Sequence, residues 1–338
     1  MKRTEFLLLA HGAGGRLTHE LVRQVFLPAF DNPHLRPLSD AAVLSELPPG
    51  RPALTTDAFV VDPLVFPGGD LGYLSVCGTV NDLAVAGARP LWLTWALVLE
   101  EGLEGDLLHT IVEGAARACR DARVTLVAGD TKVVPRGKGD RAFAISAGLG
   151  VVPPGRDLGD HHVQAGDDVV ISGPCGDHGA TIMACRHGLS GAALVSDCAP
   201  LGDLAEAVLS CGAAIHAMHD PTRGGVATTC HEVAARAGVR VVLEETALPV
   251  RSETLTTCEV LGLDPLYLAC EGRLLIWVAP GDTDRVLQAL RGHPRGAGAA
   301  RIGRTVSAHG SVRVVVATAI GGERPVDLLS GSELPRIC

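Results

Sequence analysis

The residues of this 338-residue chain best suited to chemistry are five aspartates, each set where a strand-like run gives way to a loop. They are Asp40 in SDAAV, Asp57 in TTDAFVVDP, Asp82 directly after Asn81, Asp130 in AGDTK and Asp220 in HDPTRGG. A single loop aspartate is ordinarily a cap or turn former, but five in comparable positions weaken that reading for the group. Carboxylates repel a polyphosphate unless a hard cation lies between them, and Mg²⁺ takes one or two carboxylates together with phosphate oxygens. The pattern therefore predicts a Mg²⁺-dependent phosphate site. The glycines of HGAGG (Gly12, Gly14, Gly15), with Gly68-Gly69 and Gly224-Gly225, would let backbone N–H groups approach phosphate closely. Neither GxxxxGK[ST] nor GxGxxG after a strand is present, so such a site must be built another way.

Three more residues stand out. Lys132, two places after Asp130, could contact a transferring phosphoryl group or move a proton, or could be an ordinary exposed loop lysine. Glu271 in ACEGR could be a base or could cap the turn before the next strand. The chain ends in Pro335-Arg336-Ile337-Cys338, and a terminal thiol is sterically open and nucleophilic once deprotonated. It is not a prenylation box, which needs its cysteine four from the end.

The elements that must hold these residues follow from pattern. Amphipathic helices are predicted over 17–30 and 106–122, where Leu107, Ile111, Ala115 and Ala118 share a face, and strands over 54–56, 92–99, 124–128 and 143–149. The short apolar stretch Phe6 to Ala10 reads as a first buried strand rather than a signal-peptide core. Residues 152–164 read as a linker. A second series follows, with strands near 169–172, 239–243, 274–278 and 312–317 and helices near 181–187, 204–210 and 282–290. Beyond Gly322 no apolar periodicity remains, which predicts a mobile tail.

Composition narrows the function class. Hydrophobic residues make up 47% and charged residues 20%, as in well-packed globular chains, and the net charge of −9 with no basic run argues against nucleic acid or an anionic membrane. No apolar run approaches a membrane span, so a cytoplasmic protein is expected. The ten cysteines include no CxxC pair, and His231-Glu232 lacks the second histidine of a zincin helix, so buried reduced thiols are expected rather than a structural metal.

Taken together, HGAGG, TTDAFVVDPLVFPGG, CGTVNDLAVAGA, AGDTKVV, GDHGATI, DPTRGG, ACEG and the terminal PRIC closely resemble the HypE family of hydrogenase maturation proteins. That family is part of the superfamily of aminoimidazole ribonucleotide synthetase, thiamine-monophosphate kinase and selenophosphate synthetase. The motifs span nearly the whole chain in the family's order. The tail singles out the family, whereas the Asp and Gly motifs identify only the superfamily.

The resemblance implies a two-domain, PurM-like α+β fold. An N-terminal ATP-binding and dimerising domain would cover 1–151, a linker 152–164, a C-terminal α+β domain 165–322 and a mobile tail 323–338. It implies a homodimer that uses ATP and Mg²⁺. A carbamoyltransferase partner, HypF, would load Cys338; the group would be dehydrated to a thiocyanate, and the cyanide passed through a HypC–HypD complex toward the iron of a [NiFe] hydrogenase. By the same resemblance Lys132 and Glu271 take protons from the carbamoyl nitrogen. Asp40, Asp57, Asp82 and Asp130 serve metal, and Gly12, Gly14, Gly15, Asn81, Asp82, Thr131, Asp220 and Arg223 serve ATP. One departure is His219 before Asp220, where the superfamily pattern has Arg; Arg223 is the nearest substitute. A small-molecule kinase or synthetase of the same superfamily would be indifferent to Cys338. A metallochaperone would need ligand spacing that the chain lacks.

Overall fold

The computed structural model describes residues 6–189, 193–328 and 336–338, so residues 329–335 of the expected tail lie outside the described residues. The chain divides into two compact units, one of residues 1–83 and 88–154 with Cys338, the other of residues 84–87 and 155–337.

In chain order the first unit carries α1 (Arg16–Leu21), α2 (Leu27–Phe30), β1 (Arg51–Phe59), a small hairpin of β2 (Val65–Phe66) and β3 (Gly69–Asp70), and α3 (Leu71–Val85). β4 (Arg89–Glu100), α4 (Gly105–Ala122), β5 (Thr125–Val134) and β6 (Ala142–Val152) complete it. Its sheet has the order β1-β6-β4-β5, with β4 and β5 parallel and the other neighbours antiparallel. Parallel neighbours need a crossover, and α4 supplies it, burying Leu108, Ile111, Ala115 and Ala118.

α3 shows no such stripe because it is enclosed all round: Leu71, Leu74, Val76, Thr79, Val80, Asn81 and Leu83 are all buried. Small polar side chains seat it on the sheet. The Trp95 indole N–H donates to Ser75 Oγ at 2.9 Å, and Thr55 Oγ1 donates to Asp82 Oδ2 at 2.8 Å. The other face of the sheet stays open and apolar, with Leu54 77% exposed and Trp92, Ile145 and Leu149 half-buried.

Phe6 to Ala10, expected as a strand, makes only a bridge from Phe6 to Glu104 and then a 3₁₀ turn over Leu9–Gly12. Its backbone meets the turn after β4, with Leu7 N–H on Leu103 O and Gly102 N–H on Leu7 O, too short a contact for a ladder. The helix expected over 17–30 is interrupted by a π turn at Val22–Phe26, just ahead of Pro28, which has no N–H to continue the bonding pattern.

The second unit carries β7 (Asp168–Ile171), α5 (Asp177–Arg186), α6 (Gly202–Leu209), β8 (Ile215–His219), α7 (Gly225–Ala237), β9 (Val239–Glu244) and α8 (Ser252–Leu261). β10 (Leu275–Val278), α9 (Thr283–Arg291), β11 (Ala300–Ser307), β12 (Val314–Ala317) and β13 (Glu323–Pro325) follow. Its sheet runs β13-β12-β9-β11-β7-β10-β8, with only β12 and β9 parallel. Alternation along the strands makes two cores. Val169, Ile171, Leu275 and Trp277 pack with α7 on one face, and Val170, Ile276 and Val278 with α6 and α9 on the other. The expected linker contains a 3₁₀ turn at Asp160–His162, and β13 lies where only tail was expected. Among the described residues no helix is long and apolar enough to cross a membrane.

Candidate active site

Sequence pattern puts the aspartates in loops, but three of them lie inside elements: Asp57 in β1, Asp82 in α3 and Asp130 in β5. β5 is an edge strand, where charge can stand in solvent without entering a core. The side chains of Asp130 and Lys132 are accordingly 62% and 64% exposed. Thr55 and Asp57 share a face of β1, and Thr55 bonds Asp82, so Asp57 and Asp82 occupy one corner of the sheet. Asp130 does not join them. The register runs Asp57, Ser146, Trp95, Gly129 across four strands, three spacings or about 14 Å. Asp130 thus lies at the β5 edge, apart from the corner that holds Asp57 and Asp82. Asp40 lies outside any helix or strand and is exposed.

Lys132 is engaged with Asp130, Nζ lying 2.8 Å from Oδ2, while Thr131 N–H donates to Oδ1 at 2.8 Å. The lysine hydrogen bond, more than any other influence, holds the Asp130 carboxyl below the usual carboxylate range. The HGAGG loop packs on this same strand. A Cβ at Gly12 would lie 2.4 Å from Val133 N, so only glycine permits the approach. Gly12 thus stands against β5 next to Lys132, while Gly14 and Gly15 follow in the open part of the same loop. The donors are hard oxygens, suited to Mg²⁺ with one or two carboxylates and phosphate completing its shell.

In the second unit, β7 and β8 end and β10 begins at the same end of the sheet, because β10 is antiparallel to both. Three motifs meet there. Gly176 N–H donates to Cys270 Sγ at 3.2 Å, Gly179 N–H to Ala269 O at 3.1 Å and Cys270 N–H to Pro221 O at 2.9 Å. At Gly225, φ is +59° and a Cβ would lie 2.5 Å from Leu268 O, so the turn between Asp220 and α7 admits only glycine. Arg223 is exposed on that turn.

Glu271 is 1% exposed and its N–H donates to Asp197 Oδ1 at 3.0 Å. Arg273, also buried, lies between two acids, with Nε 3.4 Å from Asp197 Oδ2 and Nη2 3.6 Å from Asp177 Oδ2. Arg251 Nε lies 3.2 Å from Asp177, and Thr254 Oγ1 donates to Asp177 at 2.8 Å. Burial pushes the Asp177 carboxyl up, against the pull of Thr254 and the two arginines. Sequence reading gave Asp177, Asp197 and Arg273 no role. The available signal was charge set inside otherwise small or apolar runs, SGPCGDHGATI and ACEGRLLIWV.

The departure at His219 has a structural account. Its Nε2–H donates to Asp160 Oδ1 at 2.7 Å, and its ring stands edge-on to Trp277 at 5.7 Å. Asp160 also pairs with Arg236 at 2.9 Å, so this histidine ties β8 to the turn at 160–162.

None of the ten cysteines is joined in a disulfide, and seven are buried. Burial pushes Cys119 and Cys175 up to about 12 and Cys258 to about 11, leaving them protonated and poorly nucleophilic at neutral pH. Cys338 is half-exposed. Among the described residues, one group of three possible metal ligands comes within 4.8 Å: Asp157, His161 and His162, on the surface.

Residues 38–152 match the family of AIR synthase related protein N-terminal domains, and residues 164–316 match the corresponding C-terminal domains. The carbamoyl dehydratase HypE of Rhodobacter capsulatus is 49% identical over 341 residues, 99% of each chain. A crystal structure of the hydrogenase maturation protein HypE in complex with ATP superposes with a TM-score of 0.93 at 45% identity, covering 98% of this chain and 100% of that one. A HypE chain solved in a HypE–HypF complex matches at 41% identity and a TM-score of 0.79, over 91% of this chain and 99% of that one. With its AIR synthase-like domains and near-complete coverage at this identity, the chain belongs to the HypE family of carbamoyl dehydratases.

Proposed function

We propose that this enzyme dehydrates an S-carbamoyl group on its own Cys338 to a thiocyanate at the expense of ATP, supplying cyanide ligands for the iron of a [NiFe] hydrogenase. The observation that carries the reading is the terminal, half-exposed thiol in a dehydratase-family chain whose other cysteines are mostly buried.

A carbamoyl oxygen is a poor leaving group. It takes the γ-phosphoryl group of ATP, which departs as ADP; the C–O bond then breaks with release of phosphate, and both nitrogen protons are lost, giving S–C≡N. Glu271 and Lys132 take the nitrogen protons. Asp57, Asp82 and Asp130, with Asp40 as a further contributor, would hold Mg²⁺ alongside phosphate, where it would neutralise phosphate charge. Gly12, Gly14, Gly15, Asn81, Thr131, Asp220 and Arg223 hold the nucleotide.

The open apolar face of the first unit's sheet supports a homodimer formed through that face. The solved HypE–HypF complex supports HypF as the loading partner, and family membership supports a HypC–HypD acceptor in the cytoplasm.

Intact mass of the protein incubated with the carbamoyltransferase, carbamoyl phosphate and Mg-ATP, beside a Cys338→Ala control, tests the reading. One carbamoyl group should appear on Cys338 and then lose one water only with ATP. ATP turnover with an unmodified tail would instead indicate a small-molecule acceptor.

A further inference from the structure

Chain ends are ordinarily loose unless tied down, yet the residue before the terminal cysteine is buried: Ile337 is 5% exposed. Its carbonyl oxygen lies 2.7 Å from His178 Nε2 on α5. A carbonyl can only accept, so Nε2 carries the proton. Burial holds the His178 ring below the usual imidazole range and hence neutral, so Nδ1 is an acceptor. Ser196 meets that need, with Oγ 2.8 Å from Nδ1, and the same Oγ accepts from Cys198 N–H at 3.1 Å. Donor and acceptor directions agree along the relay from Cys198 through Ser196 and His178 to the Ile337 carbonyl. One residue earlier, the Arg336 carbonyl accepts from Arg186 Nη2 at the end of α5. Arg336 has φ +58°, a left-handed conformation that a residue with a side chain adopts at a cost and keeps where its surroundings fix it. The residue after Ser196 is Asp197, whose carboxylate takes the N–H of Glu271. The segment that fixes the histidine thus also fixes the proposed base.

We propose that His178 and Arg186 are positioning residues that grip the last two peptide carbonyls, so that Cys338 is held in one orientation for dehydration. This rests on Cys338 being the group acted upon. Free, the thiol would sample many directions; anchored one residue away, it samples few. Loss of such orientation commonly costs about a hundredfold in rate.

Two readouts separate the clamp from the reaction. Trypsin must draw the Arg336–Ile337 bond into an extended pose to cut it, which the clamp forbids, so release of the terminal Ile-Cys dipeptide, followed by mass, reports the clamp with no chemistry involved. His178→Leu and Arg186→Ala should each speed that release tenfold or more. They should slow water loss from carbamoylated Cys338 by ten- to a hundredfold, on the order of the orientation effect above, with loading by the transferase at least as fast as in the wild type. His178→Gln, whose amide N–H can reach the same carbonyl, should restore most of both. Wild-type release and dehydration rates in Arg186→Ala and His178→Leu would overturn the proposal; if His178→Leu fails to fold, Arg186→Ala decides alone. If wild-type protein never loses water from carbamoyl-Cys338, the functional reading fails while the dipeptide release still judges the clamp.

Discussion

The two charged regions differ in how much water they keep. On β5, Asp130 and Lys132 pair with each other on an open sheet edge, more than half of each side chain in solvent. At the end of the second unit's sheet, Asp177, Asp197, Arg273 and Glu271 are held almost without exposure by ion pairs and backbone N–H groups. An exposed pair is worth little to stability and exchanges partners readily, which suits the phosphate-site role proposed for Asp130 and Lys132. A buried cluster is costly to disturb and stays where the fold puts it, which suits a group whose direction matters.

Breaking the buried side should have the largest effect. Arg273→Ala leaves Asp177 and Asp197 without their shared cation and should cost about 3–5 kcal/mol in chemical denaturation of the second unit; a loss below about 1 kcal/mol would mean that the acids have other support. A second buried acid sharpens the contrast. Asp70, in the first unit, caps Tyr73 N–H at 2.9 Å, with Arg117 only at 3.5 Å, and burial raises its pKa to about 6. A carboxyl raised in the folded state contributes stability at low pH that is lost as pH climbs through its folded pKa, here between about 4 and 6. Asp70→Asn has no proton to lose, so it should gain on wild type by about 3 kcal/mol across that window, read as melting temperature against pH. A pH-independent difference would remove the assignment. On the exposed side, Lys132→Ala should slow dehydration by about a hundredfold yet move the melt by under about 1 kcal/mol. Full dehydration in both Lys132→Ala and Glu271→Ala would end their proposed roles.

Legibility in the sequence followed the same division. α4 and β4 were visible because each is half-wet and shows its period. α3 was not, since a helix packed on several sides has no polar stripe to contrast with the apolar one. The motif aspartates were recognisable as residues but misplaced as structure: turn chemistry suggested loops, whereas an edge strand and a buried helix tolerate them for reasons of sheet position that one sequence does not display. Likewise no spacing rule separates Asp57 from Asp130. Their distance is set by strand order, and strand order is a tertiary fact. The acids around Arg273 lie 20 residues or more from one another along the chain, so their pairing emerges only on folding.

The burial of most cysteine thiols has a consequence for fidelity. A chain that serves as its own substrate cannot rely on a binding pocket to reject its other copies of the reactive group. Enclosing seven of them does so passively: besides Cys338, an incoming acyl donor can reach only the exposed Cys185 and the partly exposed Cys211.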